Sequence, residues 1–151
     1  MMASEENGGR ALGAAGDGSA PVPALRYRMV SASPGELPAL RDELARWSRC
    51  AGLGRDAAEA LALACYEAMA NVVEHAYARP GAMDVEAVHF ADERRVQVTV
   101  TDRGSWEPLD WDGDVDRGRG LPLIRHLADE AVVAPGDTGT VVTMSWSTPD
   151  V

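Results

Sequence analysis

The stretch Glu67-Ala-Met-Ala-Asn71-Val-Val-Glu-His75-Ala-Tyr77 places a carboxylate, a carboxamide and an imidazole at four-residue intervals in a largely apolar segment. Residues four apart are neighbours on a helix surface, so Glu67, Asn71 and His75 are predicted to share one face. A glutamate can orient or deprotonate a nucleophile, and an asparagine carbonyl oxygen can bind a hard divalent cation. The stripe suits a site for a metal-bound nucleotide, although most polar stripes on amphipathic helices only face water.

A second motif, Val98-Thr-Val-Thr-Asp102-Arg-Gly104, ends an alternating apolar segment. A carboxylate at a strand end can accept a hydrogen bond from an exocyclic amine, such as N6 of adenine, in a half-buried pocket. Gly104 lets the backbone approach a flat base because it has no Cβ. Alone, Asp-x-Gly is more often a simple turn. Thr140, after Gly139, can reach the same region if its strand lies beside that of Asp102, although a β-branched strand residue needs no functional explanation.

A third motif, Gly118-Arg-Gly120-Leu121, precedes a segment with helical spacing. Free amide N–H groups and the positive dipole end favour anions at a helix start, and the triphosphate of ATP is the natural candidate. Two glycines are a weak signal, and Arg119 is by default a solvated surface residue. Three motifs in this order are nevertheless much harder to obtain by accident than any one of them.

The composition indicates one domain and excludes several classes of function. At 151 residues, 46% of them hydrophobic, the chain can build one normal core. A net charge of -10 argues against direct contact with nucleic acid and for either solubility or an arginine-bearing protein partner. All 14 basic residues are arginine, and the absence of lysine excludes a P-loop and the strand lysine of eukaryotic-type protein kinases.

Signals for targeting and for metal binding by cysteine or histidine are weak. No apolar run has the length of a membrane span and the N-terminus lacks the order of a signal peptide, so we expect a cytoplasmic protein without membrane contact. Cys50 and Cys65 fall in predicted helices, where small buried thiols are expected. The three histidines have no Cys or His neighbours at ligand spacing, so a zinc site has little support.

The N-terminal part of the chain is predicted to contain a tail and an edge strand. Residues 1–23 are rich in Gly, Ala and Ser and are expected to be a mobile tail, before a domain over residues 24–151. Residues 25–30 alternate between apolar and polar and predict an edge strand. One face of this strand is predicted to carry Leu25, Tyr27 and Met29.

Two helices are predicted next. The first ends near Gly52, and its apolar residues at helical spacing are Leu37, Leu40, Leu44 and Trp47. The second is predicted to begin with Asp56 as its N-cap and to stop before Arg79, so that the polar stripe lies along it. Its buried side is predicted to be Leu61, Cys65, Ala68, Met69 and Val72.

The second half is predicted to complete a sheet. The expected segments are a hairpin of strands 85–90 and 95–101, a lid over 105–119, a helix over 121–127, and strands 130–134 and 140–146 around a turn at 135–139. This order favours an α+β two-layer sandwich, with helices on one face of a mixed, mostly antiparallel sheet.

Together the motifs resemble those of the Bergerat-type ATP-binding fold shared by gyrase, histidine kinases and a heat-shock chaperone. Glu67 and Asn71 look like its N-box, Asp102 to Gly104 like its G1 box, Gly118 to Leu121 like its G2 box, and Gly139-Thr140 like its G3 position. The small size, the Glu-x-x-x-Asn-x-x-x-His-Ala-Tyr form and the short lid look most like bacterial anti-sigma-factor serine/threonine kinases. The resemblance runs from about Leu25 to Trp146.

The resemblance implies a role for each matching residue. Glu67 would be the general base for an incoming hydroxyl, Asn71 a magnesium ligand and Asp102 the adenine contact. The nucleotide cradle would comprise Gly104, Gly118, Arg119, Gly120, Leu121 and Thr140. The resemblance also implies ATP and Mg²⁺ as cofactors, a homodimer, and two protein partners, namely a sigma factor and a STAS-domain anti-anti-sigma factor.

Two other functions stay open. A partner-switching module that binds ATP without transferring phosphate would need the pocket but not both Glu67 and Asn71, so their presence favours a kinase. A detached ATPase half of a histidine kinase has little support, because no dimerising helical hairpin with a phospho-accepting histidine precedes the motifs. Phosphate contacts by the lid are not evident, since its acidic residues would repel a triphosphate unless magnesium or arginine intervenes.

Overall fold

A computed structural model describes residues 20–76, 81–104 and 121–149 of the chain. Within them the strands are β1 (Leu25–Ser31), β2 (Ala82–Phe90), β3 (Arg95–Asp102), β4 (Glu130–Gly136) and β5 (Gly139–Ser147). The helices are α1 (Leu37–Cys50), α2 (Arg55–Asn71) and α3 (Leu121–Leu127). The predicted order of elements is confirmed, apart from the lid at 105–119, which lies outside the described residues.

The strands form one sheet in the order β1-β2-β3-β5-β4, and each described pair is antiparallel. The predicted α+β two-layer fold is therefore confirmed. The expectation of a mixed sheet is wrong for the described strands, because each neighbouring pair is antiparallel. β1 lies at one edge of the sheet, as predicted, and β4 lies at the other.

Alternation along the strands separates a helix-covered face from an open face. The buried residues of β3 are Val96, Val98, Val100 and Asp102, and those between them are only partly buried. α2 packs against β3, β5 and both other helices. The predicted buried faces of α1 and α2 are confirmed, since each residue expected there is buried. One core therefore lies between the helices and one face of the sheet.

The prediction that Met29 shares one face of β1 with Leu25 and Tyr27 is wrong. The β1–β2 register shifts between Tyr27 and Val30, and Met29 has a φ of 58°. An extra residue in a strand reverses the side to which the following side chains point. Met29 is consequently 63% exposed, whereas Val30 packs against the core.

The start of α2 differs from the prediction. Gly54 is the N-cap, and Asp56 lies in the first turn with no side-chain cap hydrogen bond at the cap position. Glycine tolerates the extended backbone that a cap requires, and Asp56 still interacts favourably with the positive end of the helix dipole. The α-helical part ends at Asn71 and continues as a π-helical turn over Val72–Ala76.

Two smaller expectations also need correction. Cys50 is exposed, whereas Cys65 is buried as expected and burial raises the pKa of its thiol. The thiol of Cys65 therefore stays protonated, which suits packing and not nucleophilic chemistry. The turn predicted over residues 135–139 is shorter, because β4 and β5 pair as far as Gly136 and Gly139.

The N-terminal segment contacts the domain before β1 begins. The N–H of Val22 donates to Nδ1 of His89 at 3.0 Å, and Nε1 of Trp47 donates to the carbonyl of Pro23 at 2.8 Å. The last two residues of the predicted tail thus belong to the contacts of the domain, and residues 1–19 lie outside the description. In the part of the chain that is described, no helix is long and apolar enough to cross a membrane.

Candidate functional site

The C-terminal end of α2 carries the first two predicted site residues. Glu67 is partly exposed, whereas Asn71, one turn later, is only 3% exposed. Nδ2 of Asn71 is buried and has no hydrogen-bond partner. An unsatisfied buried donor costs about 1 to 3 kcal/mol, so such a group in a folded protein needs an explanation. A ligand oxygen that accepts from Nδ2 would remove this cost.

A π-helical turn follows Asn71, where the sequence predicts a continuous α-helix. The N–H of Val72 bonds to the carbonyls of both Ala68 and Met69, where the chain leaves α-helical spacing. Such turns occur often at functional sites. His75 lies within this turn, four residues after Asn71, and its place on the face of Asn71 stays a prediction. The side chain of His75 lies outside the description.

Asp102 ends β3 on the helix-covered face and is 2% exposed. Its Oδ1 accepts a hydrogen bond from the N–H of Gly104 at 2.9 Å, which fixes the carboxylate in the turn. Thr140 lies directly opposite in the β3–β5 register and is also 2% exposed. The prediction that these two residues meet requires β3 and β5 to be neighbours, and the structure places the two strands side by side.

The backbone after β3 passes unusually close to the start of β5. A Cβ added to Gly139 would lie 1.9 Å from the carbonyl oxygen of Asp102 and 2.8 Å from Cα of Arg103. Gly139 also has a φ of 143°, a conformation that other residues rarely adopt. Glycine is therefore required at this position for the backbone of Asp102 to stay where it is.

A second carboxylate supports the same turn from the open face. Asp84 of β2 accepts the N–H of Met29 on Oδ1 at 2.8 Å and Nη2 of Arg103 on Oδ2 at 2.7 Å. The hydrogen bond from Met29, followed by Arg103 and Arg28, lowers the pKa of Asp84 despite partial desolvation. Neither contact could be predicted from the sequence, since the first depends on the bulge in β1 and the second on the β2–β3 register.

The remaining predicted residues divide into two groups. Leu121 begins α3 and is buried in the core, so its side chain supports the helix layer. Gly118, Arg119 and Gly120 lie outside the described residues, and their predicted contacts with phosphate stay predictions. Asp102 and Thr140 lie on the sheet face that α2 covers, which is the side of Asn71.

The donor set suits a nucleotide-bound cation better than a protein-enclosed one. The described residues contain no group of three His, Cys, Asp or Glu side chains that could hold a metal ion. Magnesium usually keeps several waters and is bound through few protein ligands together with phosphate oxygens. The buried carboxamide of Asn71 fits that role, because it offers an oxygen to a cation and an unpaired N–H to a phosphate or water oxygen.

The chain is similar to several solved structures. The chain is similar to the RsbU and RsbW domains of Rv1364c from Mycobacterium tuberculosis, with 27% identity and a TM-score of 0.68 over 85% of this chain and 33% of the other. It is also similar to the blue-light activated histidine kinase EL346 of Erythrobacter litoralis, with 26% identity and a TM-score of 0.55 over 63% of this chain and 31% of the other. The separate histidine kinase domain of EL346 matches at 26% identity and a TM-score of 0.51, over 62% of this chain and 45% of the other.

The chain thus spans less than half the length of these solved chains. A family model described as a histidine kinase-like ATPase domain matches residues 30–146, which include α2, Asp102 and Thr140. An ATPase domain of this kind implies ATP binding. The chain therefore belongs to the family of histidine kinase-like ATPase domains.

Proposed function

We propose that this protein is an ATP-binding anti-sigma regulatory factor with protein serine/threonine kinase activity. The observation that carries the proposal is the buried, unpartnered Nδ2 of Asn71 in α2, the helix that covers the sheet face on which Asp102 and Thr140 are buried. The family match supports ATP as the ligand, and the likeness to a chain with an RsbW domain supports a regulatory role. The serine/threonine specificity rests on the resemblance of the sequence motifs.

Each residue has a stated task in this proposal. Asp102 accepts from the exocyclic amine of adenine, while Gly104 and Thr140 leave room for the base and complete the polar end of the pocket. Asn71 holds the metal-bound phosphates through its carboxamide. The G2 residues Gly118, Arg119, Gly120 and Leu121 form the predicted phosphate cradle. Bound ATP would supply the phosphoryl group, and its magnesium ion would neutralise the negative charge that develops during transfer.

Glu67 is the proposed general base. Its side chain is partly exposed, so an acceptor hydroxyl on another protein can reach it, whereas Asn71 one turn away is buried. In this arrangement the carboxylate orients the hydroxyl and takes its proton while buried groups hold the nucleotide. The accessibility of Glu67 favours transfer to a protein over a purely binding role.

The proposed partners follow from the resemblance. A STAS-domain anti-anti-sigma factor would carry the phosphorylated serine or threonine, a sigma factor would be sequestered, and the protein would act as a cytoplasmic homodimer. The alternative is a partner-switching module that binds ATP and transfers nothing. The two functions share the nucleotide pocket and differ only in whether Glu67 is used.

The first test is calorimetric titration of the protein with ATP and GTP, with and without magnesium. We expect magnesium-dependent, adenine-selective binding that Asn71→Ala abolishes, because this variant removes both the cation ligand and the donor. Thr99→Ala serves as control, since Thr99 lies on the open face of β3. Unchanged affinity in Asn71→Ala would exclude the assigned metal role, and no binding to the unsubstituted protein would refute the ATP site.

A second test separates the kinase from the binding module. Glu67→Gln is expected to bind Mg·ATP normally and to lose transfer of labelled phosphate to a STAS-domain protein, because the amide cannot accept the proton. Glu59→Gln is the matched control, since Glu59 is an exposed glutamate on the same helix. Equal transfer by Glu67→Gln and the unsubstituted protein would show that another group is the base.

A further inference from the structure

The contacts of Asp84 connect the bulge in the edge strand to the turn that carries Asp102. Its two carboxylate oxygens accept from different elements, Oδ1 from the backbone of Met29 in β1 and Oδ2 from Arg103 after β3. In the β2–β3 register, Asp84 lies opposite Thr101, which is two residues before Arg103. The side chains of Asp84 and Arg103 therefore meet on the open face, with Asp102 pointing to the helices.

Arg103 lies between Asp102 and Gly104, the two residues that are proposed to contact adenine. Oδ1 of Asp102 accepts the N–H of Gly104, so these three residues form one turn. Gly139 contacts the turn from the neighbouring strand and leaves no space for it to move that way. The bond to Asp84 holds the same turn on its other side, where the chain has left the β3 ladder.

The Met29 contact gives Asp84 more influence than an isolated surface ion pair would have. An exposed pair alone contributes about 0 to 1 kcal/mol. Oδ1, however, also accepts a backbone N–H at a residue with φ of 58°, a conformation that is uncommon outside glycine. The carboxylate is thereby held in one orientation, so that Oδ2 presents a fixed acceptor to Arg103.

We propose that Asp84 is a positioning residue for the nucleotide site, acting through Arg103 to hold the Asp102–Gly104 turn in its adenine-binding geometry. This inference rests on the proposed function. Asp84 itself lies on the open face of the sheet, in a shallow groove between β1 and β3, and is not one of the residues proposed to contact the nucleotide. Loss of its contacts removes one anchor of Arg103, so that the turn is held less firmly and the direction of the Asp102 carboxylate is less fixed.

The chain contains a matched control for this role. Glu86 lies two residues along β2 on the same face and pairs with Arg26 of β1. It therefore makes a carboxylate–arginine bond on the same open face, but to β1, and the described residues show no bond between Glu86 and the Asp102 turn. If any acidic residue bridging these strands affected the site through general stability, Glu86 and Asp84 would have equal effects.

The experiment measures the affinities of Mg·ATP and Mg·GTP for Asp84→Ala, Glu86→Ala and the unsubstituted full chain by calorimetry, with the melting temperature of each. We expect Asp84→Ala to weaken ATP binding by about tenfold and GTP binding much less, so that the ATP/GTP ratio falls. We expect Glu86→Ala to change neither affinity by more than about twofold. A merely structural role would lower the melting temperature without changing this ratio.

Two further variants test whether the change in the ATP/GTP ratio arises from misfolding or from a direct contact of Arg103 with the nucleotide. Asp84→Asn keeps an acceptor for Met29 but loses the charge that attracts Arg103, and is expected to show the reduced ratio in a folded protein. In an Arg103→Gln background, replacing Asp84 is expected to have no additional effect on the ratio, since the pair acts as a unit.

The outcomes separate this inference from the proposed function. Adenine-selective binding by the unsubstituted protein, with the same ATP/GTP ratio in Asp84→Ala or Asp84→Asn, would overturn the positioning role and leave the ATP site intact. An additional loss in the Arg103→Gln background would overturn the route through Arg103. No nucleotide binding by the unsubstituted protein would refute the ATP site and the positioning role with it.

Discussion

Individual buried polar residues distinguish this sheet from a purely structural one. Asn71 of α2 and Asp102 and Thr140 of the sheet are each at most 3% exposed, in a core otherwise lined mostly by apolar side chains. Burying such groups is unfavourable unless they find partners, and the unpaired Nδ2 of Asn71 shows that the protein alone does not satisfy them all. Stability is thus reduced locally at the residues proposed to bind the nucleotide, which is expected where function dictates the residue.

Gly139 provides a prediction at this scale. Gly139→Ala places a Cβ 1.9 Å from the carbonyl oxygen of Asp102, at a φ of 143° that alanine rarely adopts. Because the blocking atoms are backbone, the strand ends must separate, and we expect a loss of unfolding free energy of at least about 2 kcal/mol in urea titration. ATP affinity should fall as well, since Asp102 moves.

Gly136→Ala is the control for that substitution. Gly136 belongs to the same hairpin, and an added Cβ would lie 3.5 Å from the carbonyl oxygen of Gly139, an ordinary contact distance. A loss in Gly139→Ala no larger than that in Gly136→Ala would mean that the close approach to Asp102 is not required.

At the scale of elements, hydrophobic period predicted the strands and helices because it reports burial directly. The face of α1 repeats every three or four residues, and β3 alternates at each step, so both agree with the structure. The bulge in β1 was not predictable in this way, since one inserted residue changes the face without changing the composition. The π-helical turn after Asn71 was not predictable either, because the sequence of Val72 to Ala76 also fits an α-helix.

The bulge gives opposite expectations for two neighbouring residues. A regular strand would bury Met29 and expose Val30, but Met29 is 63% exposed and Val30 packs against the core. We therefore expect Met29→Ser to change the unfolding free energy by less than about 0.5 kcal/mol, and Val30→Ser to reduce it by about 1 kcal/mol or more. Urea titration of both variants measures this difference, and a larger loss in Met29→Ser would indicate the regular register.

At the scale of the whole molecule, motifs along the sequence predicted candidate site residues but not the contacts that support them. The motifs identified Asp102 and Thr140, and the sheet order β3–β5 places them opposite each other. Asp84 carries no such signal, because its role depends on a neighbouring strand, a bulge and an arginine 19 residues away. Supporting contacts of this kind arise from tertiary structure, so they become visible only when the strands are assembled.

The attachment of the N-terminal segment predicts how stability of the whole domain depends on pH. Partial burial lowers the pKa of His89, and its Nδ1 accepts the N–H of Val22, which requires the unprotonated ring. The unfolded chain therefore binds more protons than the folded one below the ordinary histidine pKa, so the unfolding free energy falls as pH decreases through that range.

His89→Gln keeps an acceptor for Val22 but cannot be protonated. We expect urea titrations at about pH 8 and pH 5.5 to show a smaller loss for this variant than for the unsubstituted protein. His126→Gln, which changes an exposed histidine of α3, is the control, and an equal loss in all three proteins would show that His89 does not anchor the segment.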